Sequence, residues 1–265
     1  MHPILFHVGS WPIRSYGVAL AVAFVVGILL GRRRARAAGI DPDIVIDLAF
    51  YVIIASVAGA RAMYAVVHWE YFRHDLIGVL RLWDGGLAQY GGIAAGVVTG
   101  LIVFARRRVS PWRGADLLAP SVALGVGIGR IGCLLNGCCF GTPCDLPFAV
   151  TFPAGSIAAY EFPGVALHPT QVYESLAALA ICGILLLAEK RKPFDGFLLW
   201  LMLLLLAVSR FAVDQLRYYE PTSVVGGGLT TNQVIGTALM GAAAAALIIL
   251  AARRRPGRPR GRRAA

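Results

Sequence analysis

Residues 115–141 read ADLLAPSVALGVGIGRIGCLLNGCCFG, a long apolar run with one arginine, Arg130, close to its end. Runs of similar composition, each about 17 to 24 residues long, recur along the chain and have the length that a membrane-crossing helix needs. The whole chain is 58% hydrophobic with a mean hydropathy of +0.70, well above an ordinary globular domain. The sequence therefore predicts an all-α polytopic membrane protein with seven transmembrane helices. They are expected at residues 16–30, 44–67, 91–105, 115–135, 172–188, 197–213 and 233–252.

The basic residues are distributed as membrane topology requires. Of the 25 lysines and arginines, eighteen follow the first, third, fifth and seventh spans, at residues 32–36, 106–113, 190–192 and 253–263. Cytoplasmic loops carry such an excess, so the N-terminus is expected outside and the C-terminus in the cytoplasm. The same asymmetry accounts for the net charge of +11 without a nucleic-acid partner.

One membrane domain is expected over residues 1–252, followed by a disordered basic tail at residues 253–265. Its extracytoplasmic loops are expected at residues 68–90, 136–170 and 214–231. The N-terminus has neither a basic segment nor a small-residue cleavage site before the first span. We therefore expect that span to be retained.

Three arginines fall within or at the ends of apolar spans. A guanidinium group in hydrocarbon costs a few kcal/mol, so Arg61, Arg130 and Arg210 each need a partner or a polar cavity. Asp214 follows Arg210 by one helical turn, in a polar stripe that continues to Arg217, and an internal ion pair is one explanation for Arg210. No carboxylate lies within a turn of Arg130. A bound anion is therefore the better explanation for Arg130.

Two further polar features are predicted on the outer side of the membrane. Arg61, Tyr64 and His68 share one helical face, which fits an interfacial belt as well as it fits a cavity lining. Residues 168–174, HPTQVYE, open the fifth span. A helix that begins there presents free amide groups to an anion.

Several short motifs follow one another in a recognisable order. By these motifs and their spacing, the chain resembles the prolipoprotein diacylglyceryl transferase family over nearly its whole length. They are SYG at 15–17, GARAMY at 59–64, WDGG at 83–86, YGG at 90–92, GRIG at 129–132, NG at 136–137 with Gly141, HPTQ at 168–171, YE at 173–174, and Arg210, Asp214 and Arg217.

The resemblance implies an enzyme of the bacterial inner membrane. Members of the family move the diacylglyceryl group of phosphatidylglycerol onto the lipobox cysteine thiol of a prolipoprotein signal peptide, and glycerol phosphate leaves. The expected partners are therefore phosphatidylglycerol, prolipoproteins and membrane lipid. No cofactor and no metal ligand are implied.

The resemblance also implies roles for individual residues. Arg130 is expected to bind the lipid phosphate, Arg210 to assist at the leaving group, and Tyr16 to line the same cavity. A fixed bidentate donor suits phosphate, which favours arginine at such a site. The remaining catalytic candidates are Tyr90 and His168, and the remaining substrate-binding candidates are Arg61, Tyr64, Asn136, Gly141 and Asp214.

The chain departs from the family pattern at three positions. Tyr90 stands where the best-known members have the histidine that is the usual candidate for the base. Cys133 and Cys138 replace an asparagine and a glutamate. A phenol is a poor base at neutral pH, so His168, Asp214 or water is expected to assist ionisation of the thiol.

Four of the five cysteines lie within a twelve-residue window, Cys133, Cys138, Cys139 and Cys144. An extracytoplasmic position favours disulfides, while free thiols and a metal site remain alternatives. The spacing lacks the paired C-x-x-C form of common zinc sites. Cys182 stands apart and is expected to pack as a small apolar residue.

Two other functions compete with a transferase. One is a divergent relative, non-catalytic or of different specificity, that still binds phospholipid. The other is a small-solute transporter, which the absence of an inverted sequence repeat disfavours.

Overall fold

A computed structural model describes residues 2–219, 224–225 and 229–253. Within these residues, seven helices are long and apolar enough to cross a membrane, which confirms the predicted all-α class and span number. Each helix begins or ends a few residues beyond its predicted span because polar residues at the ends continue the helical turns. The long helices are α1 (Ser15–Ala37), α2 (Asp43–Val67), α4 (Gln89–Arg106), α5 (Pro111–Asn136), α7 (Thr170–Ala188), α8 (Phe197–Asp214) and α9 (Thr231–Arg253).

Short elements connect the long helices. Two short helices, α3 (Trp69–Phe72) and α6 (Ile157–Glu161), and three 3₁₀ turns, Leu76–Leu80, Leu82–Asp84 and Glu189–Arg191, lie in the loops. Three antiparallel two-stranded ribbons complete the described structure. They pair β1 (Ile4–Val8) with β2 (Trp11–Arg14), β3 (Val150–Thr151) with β4 (Ala166–Leu167), and β5 (Val224–Val225) with β6 (Leu229–Thr230).

The chain divides into two compact units. The first comprises Met1–Gly27 and Leu118–Ala265, and the second comprises Ile28–Leu117. The basic tail beyond residue 253 and parts of the predicted loop at residues 214–231 lie outside the described residues.

In the second unit, glycines let α2 and α4 approach each other at backbone distance. A Cβ atom added to Gly59 would lie 2.4 Å from the Cβ of Ala95 and 2.7 Å from the carbonyl oxygen of Gly91. At the residue after Gly91, a Cβ on Gly92 would lie 3.1 Å from the carbonyl oxygen of Ser56. Small residues at such a contact are the usual means of packing membrane helices, because lipid tails provide no hydrophobic drive between them.

A buried arginine accompanies the proline within α5. Pro120 has no N–H, so the carbonyl group of Asp116 loses its ordinary helical donor. Arg34 of α1 is buried and donates to that carbonyl oxygen from both terminal nitrogens at 3.2 Å, and also to the carbonyl oxygen of Leu117. A basic residue from the charge cluster that follows the first span therefore also completes the hydrogen bonding of α5.

In the first unit, α5 contacts α1 and α7 through further glycines. A Cβ on Gly132 would lie 2.8 Å from the Cβ of Ala19 and 3.4 Å from the Cα of Tyr16. On the side toward α7, the Ser175 hydroxyl donates to the carbonyl oxygen of Gly127 at 2.8 Å. These contacts hold the C-terminal half of α5, which carries Arg130, against its neighbours.

The α2–α4 contact predicts the effect of adding one methyl group. Gly59→Ala introduces a Cβ into backbone of the facing helix, and we expect the free energy of unfolding to fall by about 1–3 kcal/mol. The matched control is Gly183→Ala in α7, where an added Cβ meets nothing within 4 Å. Thermal unfolding in detergent measures both. Equal midpoints for the two variants would contradict the close contact.

Candidate active site

Three arginines converge on one buried carboxylate in the first unit. Glu174, in the second turn of α7, is 7% exposed. The Nε atom of Arg130 lies 3.0 Å from its Oε2 atom, in an ion pair without hydrogen-bond alignment. Arg210 of α8 donates to its Oε1 atom through Nη1, and the Nη1 atom of Arg217 lies 3.5 Å from the same oxygen. Glu174 thereby links α5, α7 and α8.

Asp214 forms the second anchor of this network. The Nε atom of Arg210 lies 2.9 Å from the Asp214 Oδ1 atom, so the ion pair suggested by their four-residue spacing is confirmed. The Tyr219 hydroxyl donates to the same oxygen at 2.7 Å and accepts from Nη2 of Arg210 at 2.7 Å. Each of the three nitrogens of Arg210 therefore has a partner.

The network carries one surplus positive charge. Three guanidinium groups face two carboxylates, and the carboxylates are the buried members, with Glu174 7% and Asp214 0% exposed. Arg130 and Arg210 retain 24% and 25% exposure. Within the described residues, the two terminal nitrogens of Arg130 have no hydrogen-bond partner, and they can therefore receive an anion.

These contacts bear on two predictions. A bound anion was the better explanation for Arg130 because no carboxylate lies within a turn of it, but Glu174 reaches it from a different helix, which helical spacing within one span cannot reveal. Asp214 was expected to contact substrate or to act as a base, yet its side chain is fully buried between Arg210 and Tyr219. The available signal for Glu174 was a carboxylate inside an apolar span, which requires a buried partner.

Tyr219 acts as a hydrogen-bond donor in this network. Burial raises the pKa of its phenol, and the hydrogen bond to Asp214 raises it further, against the opposing charges of Arg210 and Arg217. The hydroxyl group therefore keeps its proton at neutral pH and holds Asp214 in place.

The loop after α5 is fastened beside the arginines by backbone pairing. Gly141 donates to the carbonyl oxygen of His168 at 3.0 Å and forms an isolated β-bridge with Arg217. A Cβ on Gly141 would lie 2.5 Å from the Cβ of His168 and 2.6 Å from the carbonyl oxygen of Leu216. Gly141, expected as a substrate contact, therefore has a packing role that brings His168 and Arg217 onto adjacent segments. The His168 ring has the Tyr173 hydroxyl 3.3 Å from its Nδ1 atom.

The cysteine-rich loop turns back on the end of α5. Gly137, with a φ of +72°, ends the helix so that the Cys138 amide donates to the carbonyl oxygen of Cys133 at 3.1 Å. Asn136 is the last helical residue, and the Cys138 thiol donates to the carbonyl oxygen of Cys133 at 3.7 Å. The disulfide expectation is not met, because the cysteines of the loop are free thiols. Hydrogen bonds from Cys133 and Cys138, followed by the charges of nearby arginines, lower the pKa of Cys139.

Tyr16 of α1 lies near this loop. Its phenol is within electrostatic range of Arg130, Cys133 and Cys138. The side chain is 43% exposed. It can therefore border the anion site from a third helix.

Arg61, in the second unit, donates its hydrogen bonds to the loop of residues 78–86. It is 5% exposed, and its Nε and Nη2 atoms donate to the carbonyl oxygens of Val79, Gly78 and Arg81 at 2.7–2.9 Å. Its Nη1 atom donates to the carbonyl oxygens of residues 85 and 86. Backbone carbonyl groups therefore occupy all of its nitrogens, and substrate binding by Arg61 stays a prediction.

The two remaining candidates also lie in the second unit. Tyr64 packs against Gly86, where an added Cβ would lie 2.3 Å from its ring, and against the His68 ring at a centroid distance of 4.2 Å. These contacts indicate that Tyr64 supports the loop rather than a ligand. Tyr90 occupies the first turn of α4 and is 52% exposed.

Comparison with known proteins gives one consistent family. The family model described as prolipoprotein diacylglyceryl transferase matches residues 3–249. A relative from Acaryochloris marina is 41% identical over 69% of this chain and 67% of its own length. A relative from Synechococcus elongatus is 35% identical over 88% of this chain and 82% of its own, and one from Finegoldia magna is 30% identical over 91% and 92%. All three are named phosphatidylglycerol--prolipoprotein diacylglyceryl transferase.

The arginine network predicts that Glu174 is essential for stability. Glu174→Gln preserves the side-chain shape but removes the charge that three guanidinium groups share. We expect the free energy of unfolding in detergent to fall by about 3–5 kcal/mol, because a broken buried ion pair leaves uncompensated charge. Glu161→Gln, at an exposed carboxylate of α6, is the matched control and should behave as wild type. Wild-type thermal unfolding of Glu174→Gln would show that the network is dispensable for folding.

Proposed function

Because this chain belongs to the prolipoprotein diacylglyceryl transferase family, we propose that it transfers the sn-1,2-diacylglyceryl group of phosphatidylglycerol to the lipobox cysteine thiol of prolipoproteins. The reaction forms a thioether, releases glycerol phosphate and is the first step of lipoprotein modification. The observation that carries the proposal for this chain is the surplus positive charge of the Glu174 network, at the ends of helices able to cross a membrane. A phospholipid is the anion that such helices can meet laterally.

The phosphodiester of the lipid is assigned to Arg130. Its Nε atom faces Glu174, while its terminal nitrogens have no partner among the described residues, so both can donate to phosphate oxygens. A guanidinium group presents its donors in a rigid fork that matches two such oxygens. Phosphodiesters carry one negative charge, which equals the surplus charge of the network.

The arginine network then favours departure of glycerol phosphate. As the thiolate sulfur bonds to the glyceryl carbon, the carbon–oxygen bond breaks and negative charge accumulates on the phosphate. Donors already held in position stabilise that charge without reorganisation. Arg210 is fixed by Glu174, Asp214 and Tyr219, so its part is to orient the network and to supply positive charge at the leaving group.

Proton transfer from the substrate thiol is assigned to His168. Asp214 is excluded because its side chain is fully buried, while His168 is half-buried on the segment that pairs with Gly141. An imidazole is well matched to proton transfer at neutral pH. Tyr90 is assigned no proton-transfer step.

We place the enzyme in the bacterial inner membrane, with its N-terminus outside and its C-terminus in the cytoplasm. The clusters of basic residues after alternate spans support this orientation. It puts the Glu174 network on the outer side, where prolipoprotein signal peptides present their lipobox.

Arg130→Ala tests the phosphate assignment. We expect transfer of labelled diacylglyceryl to a prolipoprotein in membranes to fall by at least about 10²-fold, since a donor aimed at developing charge is lost. Arg130→Lys keeps the charge without the fork and should be intermediate. Arg73→Ala, at an exposed arginine paired with Glu70, is the matched control.

Wild-type turnover by Arg130→Ala would contradict the assignment. Rescue of a host depleted of its own transferase separates an active enzyme from a divergent lipid-binding relative. Failure of the wild-type chain to rescue, despite normal insertion, would favour that relative.

Tyr90→Phe tests the position where the family histidine is replaced. We expect a smaller loss of transfer activity than for Arg130→Ala, because a phenol is poorly suited to accept the thiol proton. The same membrane assay compares the two variants. Complete loss of activity in a normally folded Tyr90→Phe protein would show that the hydroxyl group is required.

A further inference from the structure

Three thiols meet at the end of α5. The Sγ atoms of Cys133, Cys138 and Cys139 all lie within 4.8 Å of one another. Sequence spacing did not indicate this cluster, because the three residues become neighbours only when the helix ends at Gly137 and the chain reverses. The thiols lie close in the chain to the arginine network, because Gly141, two residues after Cys139, forms the β-bridge with Arg217.

Side chains of α7 form hydrogen bonds to the backbone of the cysteine loop. The Thr170 hydroxyl donates to the carbonyl oxygen of Cys139 at 2.8 Å, and the Gln171 amide donates to that of Cys138 at 2.7 Å. Cys139 also adopts a φ of +65°, which a residue with a Cβ rarely accepts. Such a conformation persists where the surroundings determine it, and it directs the Cys139 side chain toward the other two.

This arrangement has the dimensions and chemistry of a soft-metal site. Three sulfur atoms that share a tetrahedral zinc ion at about 2.3 Å each are separated by about 3.8 Å, within reach of the spacing observed. Thiolates select soft or borderline metals over Mg²⁺ and Ca²⁺. Structural zinc sites use four protein ligands, whereas catalytic sites use three and keep a fourth position open. Cys144 lies outside the cluster, which leaves three ligands.

We propose that Cys133, Cys138 and Cys139 bind a thiophilic divalent cation, with Zn²⁺ the best match, and leave its fourth coordination position open. Resting on the proposed function, we further infer that this position takes the lipobox thiol of the prolipoprotein. A thiol bound to such a cation loses its proton. The thiolate then forms the bond to the glyceryl carbon while the carbon–oxygen bond breaks, and the electron pair of that bond leaves with glycerol phosphate.

The proposal accounts for the departures from the family pattern. The chain lacks the histidine at position 90, and it carries thiols at positions 133 and 138. A metal-bound substrate thiol ionises without a strong base. His168 then needs only to receive a proton that the metal has already made acidic.

Metal content of the purified full-length protein tests the site without reference to activity. Elemental analysis after dialysis should find about one zinc per chain in the wild type. Cys133→Ser, Cys138→Ser and Cys139→Ser should each reduce the zinc content at least about tenfold, while the matched control Cys144→Ser should retain it. Replacement by Co²⁺ should add a sulfur-to-metal charge-transfer band that the same three variants lose.

Absence of metal from wild-type protein after purification with added zinc would overturn the proposal. A disulfide within the cluster, detected as a mass shift on alkylation that requires prior reduction, would do the same. Removal of zinc by a chelator should abolish transfer and added zinc should restore it. Bound zinc with transfer unaffected by its removal would overturn the assignment of the substrate thiol, and leave both the metal site and the transferase activity standing.

Discussion

The structure of the first unit depends on the enclosure of Glu174 by three arginines. A carboxylate inside an apolar span is costly, and so is each arginine near it. When they lie together, each charge is balanced by the others. The ion pairs also fix the positions of the helices along one another. α5, α7 and the segment after α8 all contribute. The two acids are more deeply buried than the three bases. The surplus positive charge therefore lies on the more exposed side of the network, where an anion can bind.

Hydropathy and charge pattern were sufficient to predict the helical framework. Runs such as residues 197–213 contain no competing signal, and lipid allows few backbone structures other than helices. The short ribbons were not predicted, because strands of two to five residues have no detectable period. The Arg210–Asp214 pair was accessible from sequence since both residues share one helix. The Arg130–Glu174 pair was not, because it depends on how α5 and α7 pack.

The candidate site was likewise predictable from the sequence only in part. Motifs identified Arg130 and Arg210, but not which of their nitrogens are free. Arg61 and Gly141 carry equally specific motifs, and both act within the framework, one by binding carbonyl groups and the other by close backbone packing. A charged residue in a span needs a partner, and sequence alone does not tell a substrate from a backbone oxygen. The three thiols could not be recognised as neighbours from the sequence, because only the chain reversal at Gly137 brings them together.

The Arg61 hydrogen bonds affect which surroundings residues 76–86 can tolerate. The guanidinium group gathers carbonyl groups from this irregular segment, while side chains such as Ile77, Leu80 and Trp83 point outward with 70%, 75% and 81% exposure. A loop with inward carbonyl groups and outward apolar side chains inverts the usual arrangement of a water-exposed loop. Lipid admits irregular backbone only where the protein satisfies its polar groups. By satisfying these carbonyl groups from inside, Arg61 makes an apolar outer surface on this irregular segment compatible with contact to lipid.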